Sequence, residues 1–185
     1  MTRPRPWVIV PGIWNSDPDH WQSLWQADRA ATAPGSVVRI EPGSWSDPEP
    51  DDWSVAITRA VAGFDEPPVL IAHSLGVLAV AAWLGGTGRP PVAGAFLVAP
   101  PDPAAPGFPA AAAGFTEPRA RTTTPVRLVV SDDDPYCSGG RAVGFAETLG
   151  AEVVRVGALG HVNVASGIGR WAAGRALLED FADAL

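Results

Sequence analysis

The chain has a single cysteine, Cys137, in 185 residues. It cannot close an internal disulfide, a usage that suits a reducing compartment and sets a cytoplasmic location as the expectation. Positive charge is also scarce. Acidic residues outnumber basic ones and leave a net charge of -7, with no cluster of basic side chains to draw a phosphate backbone. Nucleic acid is therefore excluded as a partner. Long hydrophobic runs are missing too. Leu75 to Leu84 falls short of a membrane span, and the apolar stretch that begins at Trp7 is too short for a signal peptide. The sequence carries neither Gly-x-Gly-x-x-Gly nor a Walker pattern, and Pro11-Gly12 follows the first apolar run, which excludes a nucleotide-binding reading. No metal and no cofactor is expected: only one acidic run, Asp132-Asp133-Asp134, resembles a ligand set, and no second cluster supports it.

What is present alternates. Short β-branched or apolar runs at Trp7–Val10, Val37–Ile40, Val69–His73, Ala95–Val98, Val126–Ser131 and Val153–Val156 read as strands covered on both faces. Helical patterns lie between them. Trp21, Leu24 and Trp25 share a face of a helix that starts near Asp19. Trp53, Ile57, Val61 and Phe64 repeat behind Asp51 and Asp52, which suit an amino-terminal cap and its dipole. A third helix follows Ser74 and stops at Gly85-Gly86, a fourth covers Arg141–Leu149, and the last runs from about Gly169 to Phe181. With no internal repeat and no clean linker, residues 1–185 are expected to form one α/β domain: a mostly parallel sheet of about six strands flanked by helices. The Pro- and Ala-rich segment from Pro100 to Pro125 is too long for an ordinary connection. It is expected either to cover a site in part or to be a loop facing solvent.

Ala72-His73-Ser74-Leu75-Gly76 sits between a strand and a helix, the context of a nucleophile elbow. A turn that sharp admits only small residues two before and two after the serine. Its strain exposes the hydroxyl and offers the Leu75 N–H to a developing oxyanion. The competing expectation is a serine that merely caps the helix. A hydroxyl nucleophile needs a base, and there are three histidines. His73 lies inside the elbow and is expected to point away and pack. His20 is expected to cap the first helix or lie at the surface, with a place near the mouth of the site as the alternative. His161, in Gly160-His161-Val162-Asn163, comes late enough for the chain order serine, acid, histidine. The acid is expected in Asp132-Asp133-Asp134, and spacing alone does not choose among the three. A second oxyanion donor is expected on the loop after the first strand, where Gly12 lets the backbone turn; the Ile13 N–H is the first candidate and Trp14 the next. Cys137 lacks an elbow and is expected to be buried and inert. Trp21, Trp25, Trp53 and Trp83 are placed in the core, while Trp14 and Trp45 fall in loops, to line a pocket or to pack.

These motifs, with Val8-Ile9-Val10-Pro11-Gly12, His20-Trp21 and Ser131-Asp132-Asp133-Asp134-Pro135-Tyr136-Cys137-Ser138, resemble the retinoblastoma-binding protein 9 / YdeN-type serine hydrolases of the α/β-hydrolase superfamily over nearly the whole chain. The resemblance implies a compact sheet with little or no lid, and esterase or peptidase-like activity on a small-molecule ester or amide. It implies that the acid is the residue before the proline, Asp134, with Asp133 as the alternative. Ala72 stands where the usual elbow has its first glycine, and Pro100–Pro125 matches the family poorly. A non-catalytic protein-interaction module on the same scaffold is the rival expectation.

Overall fold

The structure is a computed structural model that describes residues 5–185. Six strands form one sheet: β1 (Trp7–Val10), β2 (Val37–Arg39), β3 (Val69–His73), β4 (Gly94–Val98), β5 (Val126–Val130) and β6 (Glu152–Arg155). All are parallel, in the order β2-β1-β3-β4-β5-β6. Among the described residues five α-helices connect or follow them: α1 (Trp21–Thr32), α2 (Pro50–Ala62), α3 (Leu75–Gly85), α4 (Gly139–Leu149) and α5 (Ala172–Asp183).

The period-two alternation of the strands divides the core between two faces. Val8 and Val10 pack with Leu70, Ala72, Leu97 and Leu128 under α2, α3 and α4. Trp7 and Ile9 pack with Ile71, Phe96 and Val129 under α1 and α5. The change of helix face follows from the strand order. From β1 the chain steps to one side through α1 to β2, then reverses through α2 to β3, and right-handed crossovers put opposite steps on opposite faces. The reversal opens a crevice beyond the carboxyl ends of β1 and β3, the place where open α/β sheets bind ligands.

The starts of α2 and α5 differ from the sequence reading. Asp51 and Asp52 lie in the first turn of α2, where their charge suits the helix dipole, but they do not cap it; Pro50 already occupies that turn behind Glu49, as its fixed φ favours. Asp52 instead accepts the Gly43 N–H at 2.6 Å. The last helix starts at Ala172 rather than near Gly169. Trp171 is turned into left-handed backbone at φ 44, and its ring stacks on Trp25 at 5.8 Å. Helix α3 is buried on almost every side, from Leu75 to Leu84, which explains an apolar run with no amphipathic period. Pro100–Pro125 carries only a short 3-10 turn, Ala110–Ala112. Ala112 and Phe115 are buried in the core, so the segment is anchored rather than a free loop.

Candidate active site

Ser74 lies between β3 and α3 with φ 55 and ψ -127, and its side chain makes no capping hydrogen bond. The helix-cap alternative therefore fails. A non-glycine residue in this region is held by its surroundings at a cost of about 1–3 kcal/mol. Two contacts hold it. The Ser74 N–H donates to Val98 O at 3.1 Å, and α3 presses so closely on β1 that a Cβ on Gly76 would lie 2.4 Å from Val10 O. Gly12 serves a different purpose from the turn expected of it. It has no positive φ; a Cβ there would lie 2.9 Å from the Ser74 Cβ, so glycine is required to let the β1 loop lie against the serine.

The Ser74 hydroxyl meets His161. Its Oγ lies 2.8 Å from His161 Nε2, and His161 Nδ1 lies 2.8 Å from Asp134 Oδ2 and 3.0 Å from Oδ1. With Nδ1–H donated to the carboxylate, Nε2 is free to accept the hydroxyl proton. Both side chains are enclosed, 7% and 3% exposed respectively. The three neighbouring carboxylates diverge. Asp132 pairs with Arg155. Asp133 accepts the Gly160 N–H at 2.7 Å and the Ser131 hydroxyl at 3.0 Å. Only Asp134 reaches the imidazole, and it also accepts the Tyr136 N–H at 2.9 Å. Among the described residues no cluster of three His, Cys, Asp or Glu side chains is placed to hold a metal ion.

The His161 loop is tied at every residue. Leu159 N–H donates to Ser131 Oγ at 3.0 Å, Gly160 N–H to Asp133, and His161 N–H to Ser166 Oγ at 3.0 Å. His161 O accepts from His73 Nε2 at 2.8 Å, and Val162 O from Trp21 Nε1 at 2.9 Å. His73 thus points away from the serine hydroxyl, as expected, yet it reaches across the fold to hold the loop that carries His161. Burial drives its pKa well below the ordinary histidine value, with smaller contributions from His161 and His20, so it stays neutral. His20 caps α1 by accepting the Gln22 N–H on Nδ1 at 3.2 Å, but it is buried rather than at the surface. Burial, helped by Arg39 and His161, pulls its pKa down to about 4.

Backbone donors complete the site. Trp14 N–H already donates to Trp45 O at 2.8 Å, which removes it as the alternative oxyanion donor. Among the described residues the N–H groups of Ile13 and Leu75 donate to no protein acceptor, and both residues line one cavity with Ser74 and His161. That cavity holds about 440 Å³, enough for a small organic substrate. Pro101, Phe108 and Pro109 form part of its wall, so the Pro100–Pro125 segment partly covers the site. Trp14 also lines it, whereas Trp45 packs against Trp53 at 5.4 Å. Cys137 is buried outside it, its thiol pushed up to about 12, first by burial and then by Asp102 and Asp134.

The sequence reading missed Gln22. It is wholly buried, and its Nε2 donates to Val10 O at 3.2 Å and Ile71 O at 3.0 Å. Its Oε1 accepts the Ser16 hydroxyl at 2.7 Å. One amide thus joins the strand before Gly12-Ile13 to the strand before the elbow. The available signal was a polar residue beside Trp21 on the buried face of α1.

A parallel sheet reversing at β1, a strained serine at that reversal and a histidine-carboxylate pair on the later loops define an α/β-hydrolase. The chain belongs to the serine hydrolase family, whose model matches residues 7–180, and hydrolase chemistry comes with that membership. A YdeN-like hydrolase of Pectobacterium atrosepticum is 31% identical over 96% of this chain and 90% of its own, with a TM-score of 0.81. The ydeN gene product of B. subtilis superposes with a TM-score of 0.78 at 19% identity, over 96% of this chain and 98% of its own. The esterase domain of a Rhodothermus marinus protein shares the fold at 20% identity and a TM-score of 0.64, over 94% and 85%. No curated protein matches the chain.

Proposed function

We propose that this protein hydrolyses a small ester or amide through an acyl-enzyme intermediate on Ser74. The observation that carries the reading is the unbroken line from Asp134 through His161 to Ser74, with contacts of 2.8 Å at each end. His161 Nε2 takes the hydroxyl proton as Oγ bonds to the substrate carbonyl carbon, and the carbonyl electron pair moves onto oxygen. The Ile13 and Leu75 N–H groups stabilise that oxyanion. As the tetrahedral species collapses, the bond to the leaving group breaks and His161 gives that group its proton. Water then repeats the sequence on the acyl-enzyme: His161 takes one of its protons, and Ser74 leaves with the proton returned. Asp134 fixes the imidazole tautomer and stabilises the imidazolium without taking the proton itself.

The test is covalent labelling by a fluorophosphonate together with turnover of p-nitrophenyl esters. Ser74→Ala abolishes both while leaving the circular dichroism spectrum and melting curve close to wild type. Labelling that persists in the variant overturns the assignment of the nucleophile. A wild type that neither labels nor turns over any ester marks the chain as a non-catalytic scaffold.

A further inference from the structure

Among the described residues, four large hydrophobic side chains are exposed: Trp14 at 67%, Val55 at 55%, Tyr136 at 46% and Val164 at 42%. All but Val55 line the cavity beside Ser74. Apolar surface gathered at one cavity mouth marks a place where an apolar ligand is covered. Trp14 is also held out under strain. It and Asn15 both take left-handed backbone, at φ 66 and φ 70, which costs Trp14 about 1–2 kcal/mol and which asparagine tolerates. Hydrogen bonds from Trp14 N–H to Trp45 O and from Asn15 N–H to Gly12 O, at 2.8 and 3.2 Å, fix that shape. Folding would place an indole inside if packing alone decided. Here a constrained loop presents it to solvent, directly after Ile13.

Charge points the same way. Among the described residues no arginine or lysine lines the cavity, and Asp17 is its one acidic wall residue. Arg39, behind Asn15, is already committed to Asn15 Oδ1, Gln26 Oε1, Ser23 Oγ and Ser16 O. Arg141, close to the Pro101 wall, is shared between Asp102 and Glu117. Neither guanidinium is offered to a carboxylate or phosphate on a substrate, and the chain as a whole carries -7.

We infer that the site takes uncharged esters with an apolar acyl chain, that Trp14 is the surface on which the chain lies, and that Asp17 turns away anionic acyl groups. The inference rests on Ser74 being the nucleophile and specifies what it acts on. The test uses the full chain with p-nitrophenyl acetate, butyrate and hexanoate, and with mono-p-nitrophenyl glutarate against its uncharged counterpart, the valerate. kcat/KM rises by about tenfold or more from acetate to hexanoate, chiefly through KM, as buried methylenes predict. Trp14→Ala lowers the hexanoate-to-acetate ratio about fivefold or more, and Trp14→Phe keeps most of it. At low ionic strength glutarate is cleaved about tenfold more slowly than valerate, and the gap narrows in Asp17→Asn and in about 0.5 M salt. A flat chain-length profile, a ratio unmoved in Trp14→Ala, or equal cleavage of glutarate and valerate overturns the inference. If Ser74 still labels with the fluorophosphonate in those cases, the hydrolase reading stands and the substrate class alone falls. A wild type that does not label removes both.

Discussion

Three adjacent aspartates do three different things, because each meets a different partner. Asp134 turns inward to the imidazole, Asp133 ties down Gly160, and Asp132 meets Arg155 at the surface. Replacing Asp134 by asparagine keeps the size but removes the charge, and with its one amide oxygen held by the Tyr136 N–H it presents an NH2 donor to Nδ1, which reverses the tautomer. We predict a fall in kcat of about 10³–10⁴-fold with little change in melting temperature. Asp133→Asn keeps an acceptor, so we predict near wild-type kcat and a destabilisation of about 1 kcal/mol by urea titration. A larger loss of kcat in Asp133→Asn than in Asp134→Asn contradicts the assignment. The sequence offered the acidic run but not the choice within it; only the family resemblance pointed to the residue before Pro135. The choice depends on where the His161 loop arrives, and that loop is positioned by Ser131, His73 and Trp21, residues far away in sequence.

At the scale of elements, the site is a joint between β1, β3, α1 and α3. Close approach of α3 to the end of β1 leaves no room beside Gly76, and Gly76→Ala is predicted to cost about 3 kcal/mol or more or to prevent folding. Expression with a wild-type melting curve would show that the elbow has slack. Gln22 is the second joint. Gln22→Leu removes the amide that bonds Val10 O, Ile71 O and the Ser16 hydroxyl in a buried place. We predict a loss of about 2–4 kcal/mol and a lowered kcat with KM held, read by steady-state kinetics on any cleaved ester. Unchanged stability would mean the amide is not the link between the two strands. The strands and the ends of α3 and α4 were legible in the sequence because β-branched runs and glycine stops act locally. The start of α5 was not, since the stacking of Trp171 on Trp25 decides it from across the fold. The binding of Gln22 to two strands was equally out of reach, because no local pattern says which carbonyls a buried amide will find.

The molecule as a whole joins its chemistry to its stability through buried neutral histidines. His20 titrates near 6.5 when unfolded and about 4 when folded, and His73 is shifted the same way. Between those values the denatured chain binds protons that the folded chain does not, so stability rises with pH across the interval. The contribution is complete above about pH 7 and falls as pH drops through 6.5. The His20 part, about 3 kcal/mol in all, is exhausted near pH 4. Urea titrations between pH 7.5 and 4.5 check this. His20→Asn keeps a helix cap and is predicted to decline less steeply; an equal decline removes His20 as the cause. At the same scale, no described helix is long and apolar enough to cross a membrane.

By itself the sequence determined a parallel α/β sheet and an elbow serine. It also determined a late histidine with an acidic loop before it, because these are features of short range: period-two and period-3.6 patterns, small residues at a sharp turn, and chain order. Tertiary structure alone decided which aspartate meets the imidazole, that Gly12 is there for closeness rather than turning, and that Gln22 and His73 brace the site. Each of those outcomes depends on where two segments far apart in the chain come to rest, which packing settles and local preference does not.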